Sequence, residues 1–321
     1  LKECFPDQGF GYAANAMVDL PLWNAAVSVL LVNPERGVKA AVERQCKIER
    51  VFDDRAGNPF KAYLKAFRLH QWLKNLLIFI PLLMSHRLGE SLLVAQALLA
   101  FLAFGLCASS VYLLNDLLDL PDDRLHPSKR YRPFASGSIS VVTGALMIPV
   151  LLIAGFALAI ILPIEFFGVL VVYYLITLAY SLRLKRAVLI DVLTLAGLYT
   201  IRIIAGGAAI AVVPSFWLLA FSMFLFLSLA LVKRYTELLM MQQRDRTMSA
   251  GRGYNTEDLE TLSQFGSASA YMAVLVLALY INSETVRELY SRPELIWLLC
   301  PLLLYMVMRI WLLARRDALH E

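Results

Sequence analysis

The chain has 321 residues, of which 59% are hydrophobic and 17% charged, and its formal net charge is +5. Soluble domains carry about a quarter charged residues, so a chain built around one soluble core is excluded. The positive charge does not indicate nucleic-acid binding, because its placement follows a membrane topology. Scattered histidines, and cysteines without a CxxC pair, predict neither a histidine-based metal site nor a disulfide framework.

Residues 1–60 are mixed in polarity and differ from the rest of the chain. We therefore predict a short soluble cytoplasmic segment here and a second domain over 61–321. The run SVLLVNP at 28–34 predicts a short buried strand that ends at Pro34. The residues that follow, 35–60, are charged and helix-like at first and then loop-like at DDRAGNP.

From residue 66 onward, apolar runs reach the roughly 20 residues that a helix needs to cross a bilayer. Only helices and closed barrels can span a bilayer, and continuous apolar runs favour helices. The predicted fold class is therefore all-α, a polytopic transmembrane helical bundle. We predict eight spans, near 66–86, 92–114, 141–161, 165–182, 188–212, 214–232, 266–282 and 294–313.

Lys and Arg residues are distributed unevenly between the two sets of connections. Loops 115–140, 183–187 and 233–265, together with the C-terminal tail, carry fourteen of them, whereas the opposite connections carry three. The positive-inside rule places the basic loops and both termini in the cytoplasm. We therefore expect an inner-membrane protein whose chemistry occurs at the cytoplasmic face.

An acidic cluster follows the second predicted span. Asp116, Asp119 and Asp123 are spaced three and four residues apart, which places them on one face of a continuing helix, and Asn115 precedes them. Clustered carboxylates repel each other unless a cation lies between them. Oxygen ligands suit Mg²⁺, which bridges to substrate phosphates. We predict that these four residues bind Mg²⁺ and that the three aspartates are catalytic.

Basic and polar residues accompany this cluster. A basic run suited to phosphate oxygens follows it, FRLHQWLKN begins the first span, and LVKRYTELL ends the sixth. Each basic run could also be an ordinary solvated loop or a snorkelling belt. The phosphate- and substrate-binding residues predicted from these segments and their surroundings are Arg68, Lys74, Asn75, Lys129, Arg130, Arg132, Lys185, Lys233, Glu237, Arg252 and Tyr254.

Two ionisable residues lie inside the fifth predicted span. Asp191 and Arg202 are eleven residues apart, which is too far along a helix for them to pair with each other. Intramembrane charges face the bundle interior and need partners, so each is expected to have a partner on another element. The neighbouring Gly206 and Gly207 predict close helix packing.

With these segments, the chain resembles the UbiA superfamily of membrane prenyltransferases over roughly 62–316. The most specific part is NDxxDxxxD, formed by Asn115, Asp116, Asp119 and Asp123. The resemblance implies a bundle with a central cavity open toward the cytoplasm and the lipid, and Mg²⁺ between this motif and a diphosphate. Typical members carry a second DxxxD after the sixth span, where this chain has KRYTE with Glu237 as its acid.

QWLKN, HPSKRYRPFASG and KRYTELL are more similar to the decaprenyl-phosphate phosphoribosyltransferase branch, which serves cell-wall biosynthesis. That similarity implies transfer of 5-phosphoribosyl from phosphoribosyl pyrophosphate to a polyprenyl phosphate. The alternative is prenyl transfer from a polyprenyl diphosphate to an aromatic or other small acceptor. A transporter fits less well, because the charge is concentrated in loops and no paired interrupted helices occur in two halves.

Residues 1–50 resemble the C-terminal part of a haloacid-dehalogenase-like domain, which is found fused to this branch. VDLP, with Asp19, is similar to that fold's last acidic motif. The motif with its nucleophile is absent, so no phosphatase activity is expected. Family members usually have nine spans. Eight are predicted here, so the resemblance implies a chain shortened at both ends that could lack activity by itself.

Overall fold

The computed structural model describes residues 9–35, 37–53, 59–243, 253–283, 286 and 293–316. Its first part is a small α/β unit. Strands β1 (Gly11–Ala14), β2 (Ser28–Val32) and β3 (Ile48–Phe52) form a parallel sheet in chain order, with helices α1 (Leu20–Ala25) and α2 (Val38–Glu43) between them.

A small hydrophobic core holds the strands and helices of this unit together. Trp23 of α1, Leu31 of β2 and Val42 of α2 are fully buried together, since crossover helices cover parallel strands. The strand predicted at 28–34 is confirmed as β2. The haloacid-dehalogenase resemblance stays a prediction, because parallel strands with helical crossovers occur in many α/β folds.

The second part is a bundle of long apolar helices. It begins with α3 (Pro59–Ala66), a 3₁₀ helix at Leu69–Phe79 and α4 (Ile80–Met84). The helices that follow are α5 (Ser91–Leu118), α6 (Leu120–Leu125), α7 (Val141–Ile160), α8 (Ile164–Leu182), α9 (Ile190–Ala209), α10 (Phe216–Gln242), α11 (Leu259–Ile281) and α12 (Leu299–Arg315). Across the described residues, seven helices are long and apolar enough to cross a membrane. The predicted multi-pass helical bundle is confirmed.

The first of the eight predicted spans, near 66–86, has an unusual form. Its 11-residue 3₁₀ helix and 5-residue α4 together form the shorter apolar segment Leu69–Met84. A 3₁₀ helix rises about 2.0 Å per residue and an α-helix about 1.5 Å, so this segment reaches about 30 Å. That length matches the hydrocarbon thickness of a bilayer, about 30 Å.

Small residues bring the helices close together, while large apolar residues cover the outside. A Cβ added to Gly155 of α7 would lie 2.7 Å from Sγ of Cys107 on α5. Val150, Ile153 and Ile160 of α7 point outward and are exposed. This arrangement is typical of helices that pack through small residues and face lipid with their bulky ones.

Gly206 of α9 marks the closest approach to the first span. A Cβ there would lie 2.0 Å from the carbonyl oxygen of Ile78. Backbone atoms cannot move aside as a flexible side chain can, so only glycine fits this position. The close packing predicted for Gly206 is confirmed.

We predict that Gly206→Ala destabilises the bundle, because the new methyl group would force the first span and α9 apart. Overpacking of this kind costs about 1–3 kcal/mol. Gly197→Ala, in the same helix, is the matched control, since a Cβ there meets nothing within 4 Å. Thermal unfolding in detergent, followed by tryptophan fluorescence, should show a lower Tm for the first variant alone. Equal melting of the two variants would contradict this packing.

Candidate active site

The acidic cluster lies where α5 ends and α6 begins. α5 stops at Leu118, Asp119 is the junction, and Pro121 lies in the first turn of α6. The continuing helix expected for the aspartates is therefore wrong, because proline lacks the N–H that would extend the helix through it. With the helix broken, Asp116 and Asp123 are buried, at 3% and 2% exposure, whereas the Asp119 side chain is 45% exposed.

Two arginines neutralise the buried pair. Nη1 of Arg132 lies 3.2 Å from Oδ1 of Asp116 and 2.7 Å from Oδ2 of Asp123. Nη2 of Arg68 also donates to Oδ1 of Asp116. The cation expected between these carboxylates is thus, in this structure, the guanidinium of Arg132.

Arg68 reaches the cluster from an unusual backbone position. It joins α3 to the 3₁₀ helix with φ 51° and ψ 47°, a left-handed conformation that is uncommon for residues other than glycine. The turn directs the first span away from α3 and leaves the Arg68 side chain beside Asp116. Arg68 is therefore positioned by the junction of two helices.

The loop between α8 and α9 contributes a further cation. Nζ of Lys185, on the short 3₁₀ helix Leu184–Arg186, lies 3.8 Å from Oδ1 of Asp119. Both side chains are partly exposed, so this ion pair contributes little stability. It does show that the loops after α5 and α8 meet at the same end of the bundle.

The buried pair has the chemistry of a magnesium site, although it is not a complete one. Among the described residues, no three His, Cys, Asp or Glu side chains are arranged to hold a metal. Mg²⁺ commonly takes only one or two carboxylates, with water and substrate phosphates completing its shell. Oxygens of Asp116 and Asp123 lie within 3.2 Å of one guanidinium nitrogen, so a cation can contact both. Asn115 precedes them on α5 and is half-buried.

Two residues of the predicted basic run do not contact this acidic cluster. Lys129 and Arg130 lie on the short 3₁₀ helix Lys129–Tyr131 and are exposed. Nη2 of Arg130 donates to the hydroxyl of Tyr131 at 2.7 Å. Of this basic run, Arg132 is the residue whose guanidinium contacts the carboxylates. The helical turn orients each neighbour differently, and loop sequence alone does not reveal that direction.

The KRYTE segment is oriented differently from the prediction. Lys233 is exposed, whereas Arg234 is buried at 1% exposure. Nη2 of Arg234 lies 2.6 Å from Oδ2 of Asp191, and its Nη1 donates to Glu237. Sequence reasoning missed Arg234 at this position. Helical periodicity could have found it, because the buried Leu231 and Leu238 are three residues before it and four after it.

Tyr254 completes this second buried group. Its hydroxyl donates to Oδ1 of Asp191 at 2.5 Å and accepts from the backbone N–H of Leu189 at 2.8 Å. Burial and the hydrogen bond to Asp191 raise the pKa of Tyr254, so the phenol stays protonated as a donor. Tyr254 therefore ties the segment before α11 to the start of α9. Arg252, also predicted to bind phosphate, lies outside the described residues.

The partners expected for the intramembrane charges are confirmed. Asp191 pairs with Arg234 of α10. Nε of Arg202 donates to Oδ1 of Asn75 at 2.9 Å, on the first span. Lys74 and Asn75 thus lie beside α9 inside the bundle, and Lys74 Nζ is 5.7 Å from the centre of the Tyr199 ring.

The sequence matches a known protein family. Residues 76–320 match the model of the UbiA prenyltransferase family. The chain belongs to this family. The resemblance based on NDxxDxxxD is confirmed. The prediction that this family is one of transferases is confirmed as well.

Relatives and a solved structure give the extent of the similarity. The protein y4nM of Sinorhizobium fredii is 40% identical over 326 residues, which cover 100% of this chain and 62% of y4nM. The chain therefore spans less than two thirds of that relative. Decaprenyl-phosphate phosphoribosyltransferase of Mycolicibacterium smegmatis is 34% identical over 190 residues, covering 58% of this chain and 60% of that enzyme.

The structure of a UbiA homologue from Archaeoglobus fulgidus bound to DMAPP and Mg²⁺ superposes with a TM-score of 0.61. It is 19% identical, and the match covers 78% of this chain and 86% of that one. At this identity the likeness establishes the shared fold.

We predict that removing one partner of the buried Asp191–Arg234 ion pair strongly destabilises the bundle. Asp191→Asn should lower stability by about 3–5 kcal/mol, because it leaves the buried guanidinium of Arg234 without its main counterion. The double variant Asp191→Leu/Arg234→Met should recover much of the loss, since it removes both charges. Thermal unfolding of wild type, Asp191→Asn and the double variant in one detergent measures both effects.

Arg87→Gln is the control for the loss of an ion pair, because Arg87 and Glu90 form an exposed pair. It should change Tm little. If Asp191→Asn melted at the same temperature as Arg87→Gln, the buried ion pair would not be a stabilising element.

Proposed function

We propose that this chain is a Mg²⁺-dependent membrane transferase that moves 5-phosphoribosyl from phosphoribosyl pyrophosphate to a polyprenyl phosphate and releases pyrophosphate. One observation carries this proposal. Asp116 and Asp123 form a single buried carboxylate pair, while the position of the usual second acidic motif contains Arg234, paired with Asp191 and Glu237. One metal–diphosphate site with additional cations suits a diphosphate donor and a separate phosphate-bearing acceptor. The phosphoribosyltransferase relative supports the same reaction.

The residues around the carboxylates have distinct proposed roles. Asp116 and Asp123 would hold Mg²⁺, assisted by Asp119 and Asn115, as the Mg²⁺ in the Archaeoglobus neighbour suggests. When bound, the ion would neutralise charge on the leaving diphosphate. Arg68, Arg132 and Lys185 converge on these carboxylates and would bind diphosphate oxygens once the ion satisfies the aspartates. Guanidinium groups suit phosphate because they donate two parallel hydrogen bonds.

The acceptor needs no general base in this reaction. A phosphate oxygen of the acceptor forms a bond to the anomeric carbon of the ribose as the bond from that carbon to the diphosphate oxygen breaks. The electron pair of the broken bond leaves with pyrophosphate. Because the acceptor phosphate is already ionised at neutral pH, the protein's task is to orient two anions and to reduce their repulsion.

The location of the site is also part of the proposal. Lys and Arg are concentrated in the loops that meet at the acidic cluster. The positive-inside rule supports an inner-membrane protein with this end of the bundle in the cytoplasm. Phosphoribosyl pyrophosphate, a water-soluble anion, would enter from that side, and the polyprenyl acceptor would enter from the bilayer. The product would then belong to lipid-linked cell-wall biosynthesis.

A second candidate function is prenyl transfer from a polyprenyl diphosphate to an aromatic or other small acceptor. The Archaeoglobus neighbour, bound to DMAPP and Mg²⁺, favours it. The two reactions share the metal–diphosphate site and differ in what the diphosphate is attached to. Their products separate them, because one is a phosphoribosyl lipid and the other a prenylated small molecule.

We predict that full-length protein in lipid nanodiscs, given labelled phosphoribosyl pyrophosphate, Mg²⁺ and a polyprenyl phosphate, forms a labelled lipid. EDTA should abolish the product. Asp116→Asn should lower the rate at least about 100-fold, comparable to the removal of one preorganised electrostatic contact in other enzymes. Asp122→Asn is the matched control, since Asp122 is exposed beside the buried Asp123. A prenylated acceptor without any labelled lipid would select the second function.

We also predict different effects for two neighbouring arginines. Arg132→Gln should lower phosphoribosyl transfer about 10- to 100-fold, the range seen when a supporting polar contact at a metal site is lost. Arg130→Gln should leave the rate nearly unchanged, because Arg130 is exposed and contacts Tyr131. Initial rates at saturating Mg²⁺ measure the difference. Equal losses in both variants would mean that the whole basic loop acts at the site.

A further inference from the structure

A second group of cations lies deeper in the bundle than the acidic cluster. Lys74 follows Arg68 by six residues, about 12 Å along a 3₁₀ helix. Arg202 follows Asp191 by eleven residues, about 16 Å along α9. The two cations meet between the first span and α9, where Arg202 Nε donates to Asn75 Oδ1 at 2.9 Å.

Arg202 is buried among neutral partners. Besides Asn75, its guanidinium donates to the carbonyl oxygen of Leu198 and, at 3.2 Å, to the hydroxyl of Tyr173. The rings of Tyr173 and Tyr199 lie 5.1 and 5.5 Å from its Cζ. Aromatic faces attract a cation, but none of these contacts removes its net charge.

Lys74 adds a second positive charge at the same place. Its Nζ and the guanidinium of Arg202 lie within 6 Å of the centre of one ring, that of Tyr199. Phe226 stacks on this ring at 4.9 Å.

No described acidic side chain forms an ion pair with Lys74 or Arg202. Uncompensated charges inside a membrane bundle are costly and mark functional sites. The Asp191–Arg234 pair shows how the same bundle neutralises a structural charge. Lys74 and Arg202 lack such a partner within the described part of the chain.

Asn75 supplies an independent indication of a ligand. The residue is 1% exposed, and its Oδ1 is engaged by Arg202, which fixes the amide orientation. Among the residues that the structure describes, its Nδ2 has no hydrogen-bond partner. Buried donors are nearly always paired. An unpaired, buried amide N–H₂ group beside two cations therefore fits the anionic oxygen of a bound ligand.

We propose that Lys74 and Nδ2 of Asn75, with Arg202 behind them, form a binding site for a phosphate monoester, separate from the metal–diphosphate site. A phosphate monoester carries up to two negative charges, which would balance the two cations. Lys74 and Asn75 contact the phosphate, and Arg202 is a positioning residue that orients Asn75 through its Oδ1. Lys74 and Tyr199 are only half-buried, which leaves the outer side of the group accessible.

This inference rests on the proposed function, in which the substrates carry a second phosphate besides the diphosphate. That phosphate is either the head group of the polyprenyl acceptor or the 5-phosphate of the sugar donor. Both are phosphate monoesters, so the same cations suit either one. Binding of the individual compounds distinguishes the two sources.

Binding without metal tests the site directly. Full-length protein in nanodiscs of neutral lipid with EDTA is titrated with farnesyl phosphate, and with farnesol as the ligand without phosphate, by isothermal titration calorimetry. Lys74→Gln and Asn75→Leu should raise the Kd for farnesyl phosphate at least about tenfold, as expected for loss of a charge-assisted hydrogen bond. Lys74→Arg should retain most of the affinity. The Kd for farnesol should not change in any variant.

Arg309→Gln is the matched control, because Arg309 is an exposed arginine in the last span that donates to Tyr305. Its Kd should stay within about twofold of wild type, well below the tenfold loss of one strong hydrogen bond. A parallel titration with ribose 5-phosphate covers the donor. If Lys74→Gln and Asn75→Leu weaken ribose 5-phosphate instead of farnesyl phosphate, the site holds the 5-phosphate of the donor.

Wild-type affinity of both folded variants for both phosphates would overturn the proposed site, and Tm checks their folding. If Lys74→Gln does not fold, Asn75→Leu alone gives the answer, since it changes no charge. Formation of the labelled phosphoribosyl lipid by wild type tests the reaction separately. A protein that binds monoester phosphate through Lys74 and Asn75 yet makes no such lipid would refute the proposed reaction and leave the site intact.

Discussion

The contact of Arg132 with both Asp116 and Asp123 is the constraint around which the candidate site is built. Two buried carboxylates at the end of a membrane helix repel each other and lose hydration, so they persist only with a shared cation. The break before Pro121 turns the second carboxylate back toward the first. The loop after α6 then returns Arg132 between them, at 2.7 and 3.2 Å. Arg132 thus joins the end of α5, α6 and the loop after α6 through one pair of contacts.

On the proposed function, the same contact would give the site two states. Without a metal ion, Arg132 and Arg68 neutralise the aspartates. With Mg²⁺ on the aspartates, both guanidinium groups would be available to phosphate oxygens. An ion and its diphosphate would thus bind together, because each satisfies the groups that the other releases. In the Asp191–Arg234–Tyr254 group, the buried carboxylate is paired with Arg234 and accepts a hydrogen bond from Tyr254, so this group joins α9 to α10.

Much of the fold was predictable from the sequence, because hydropathy and length define membrane helices. The motif around Asp116 was also predictable, since carboxylates at helical spacing are rare without a cation. The sequence did not reveal the 3₁₀ form of the first span, which packs against α9 at Gly206. Nor did it distinguish Lys233 from Arg234, or Arg130 from Arg132. In each case, the orientation of the helix or loop decides which of two neighbouring cations faces the carboxylates. That orientation is set by tertiary packing.

Family membership and substrate rest on different observations. The match over residues 76–320 establishes the family, whereas the substrate that we propose rests on the number of anionic groups that the bundle can neutralise. The most direct test is binding of two Mg²⁺–diphosphate ligands to wild-type protein in nanodiscs, with phosphoribosyl pyrophosphate and geranyl diphosphate in competition. Our account predicts that phosphoribosyl pyrophosphate binds only with Mg²⁺ and displaces geranyl diphosphate. Tight Mg²⁺-dependent binding of geranyl diphosphate that phosphoribosyl pyrophosphate cannot displace would contradict it.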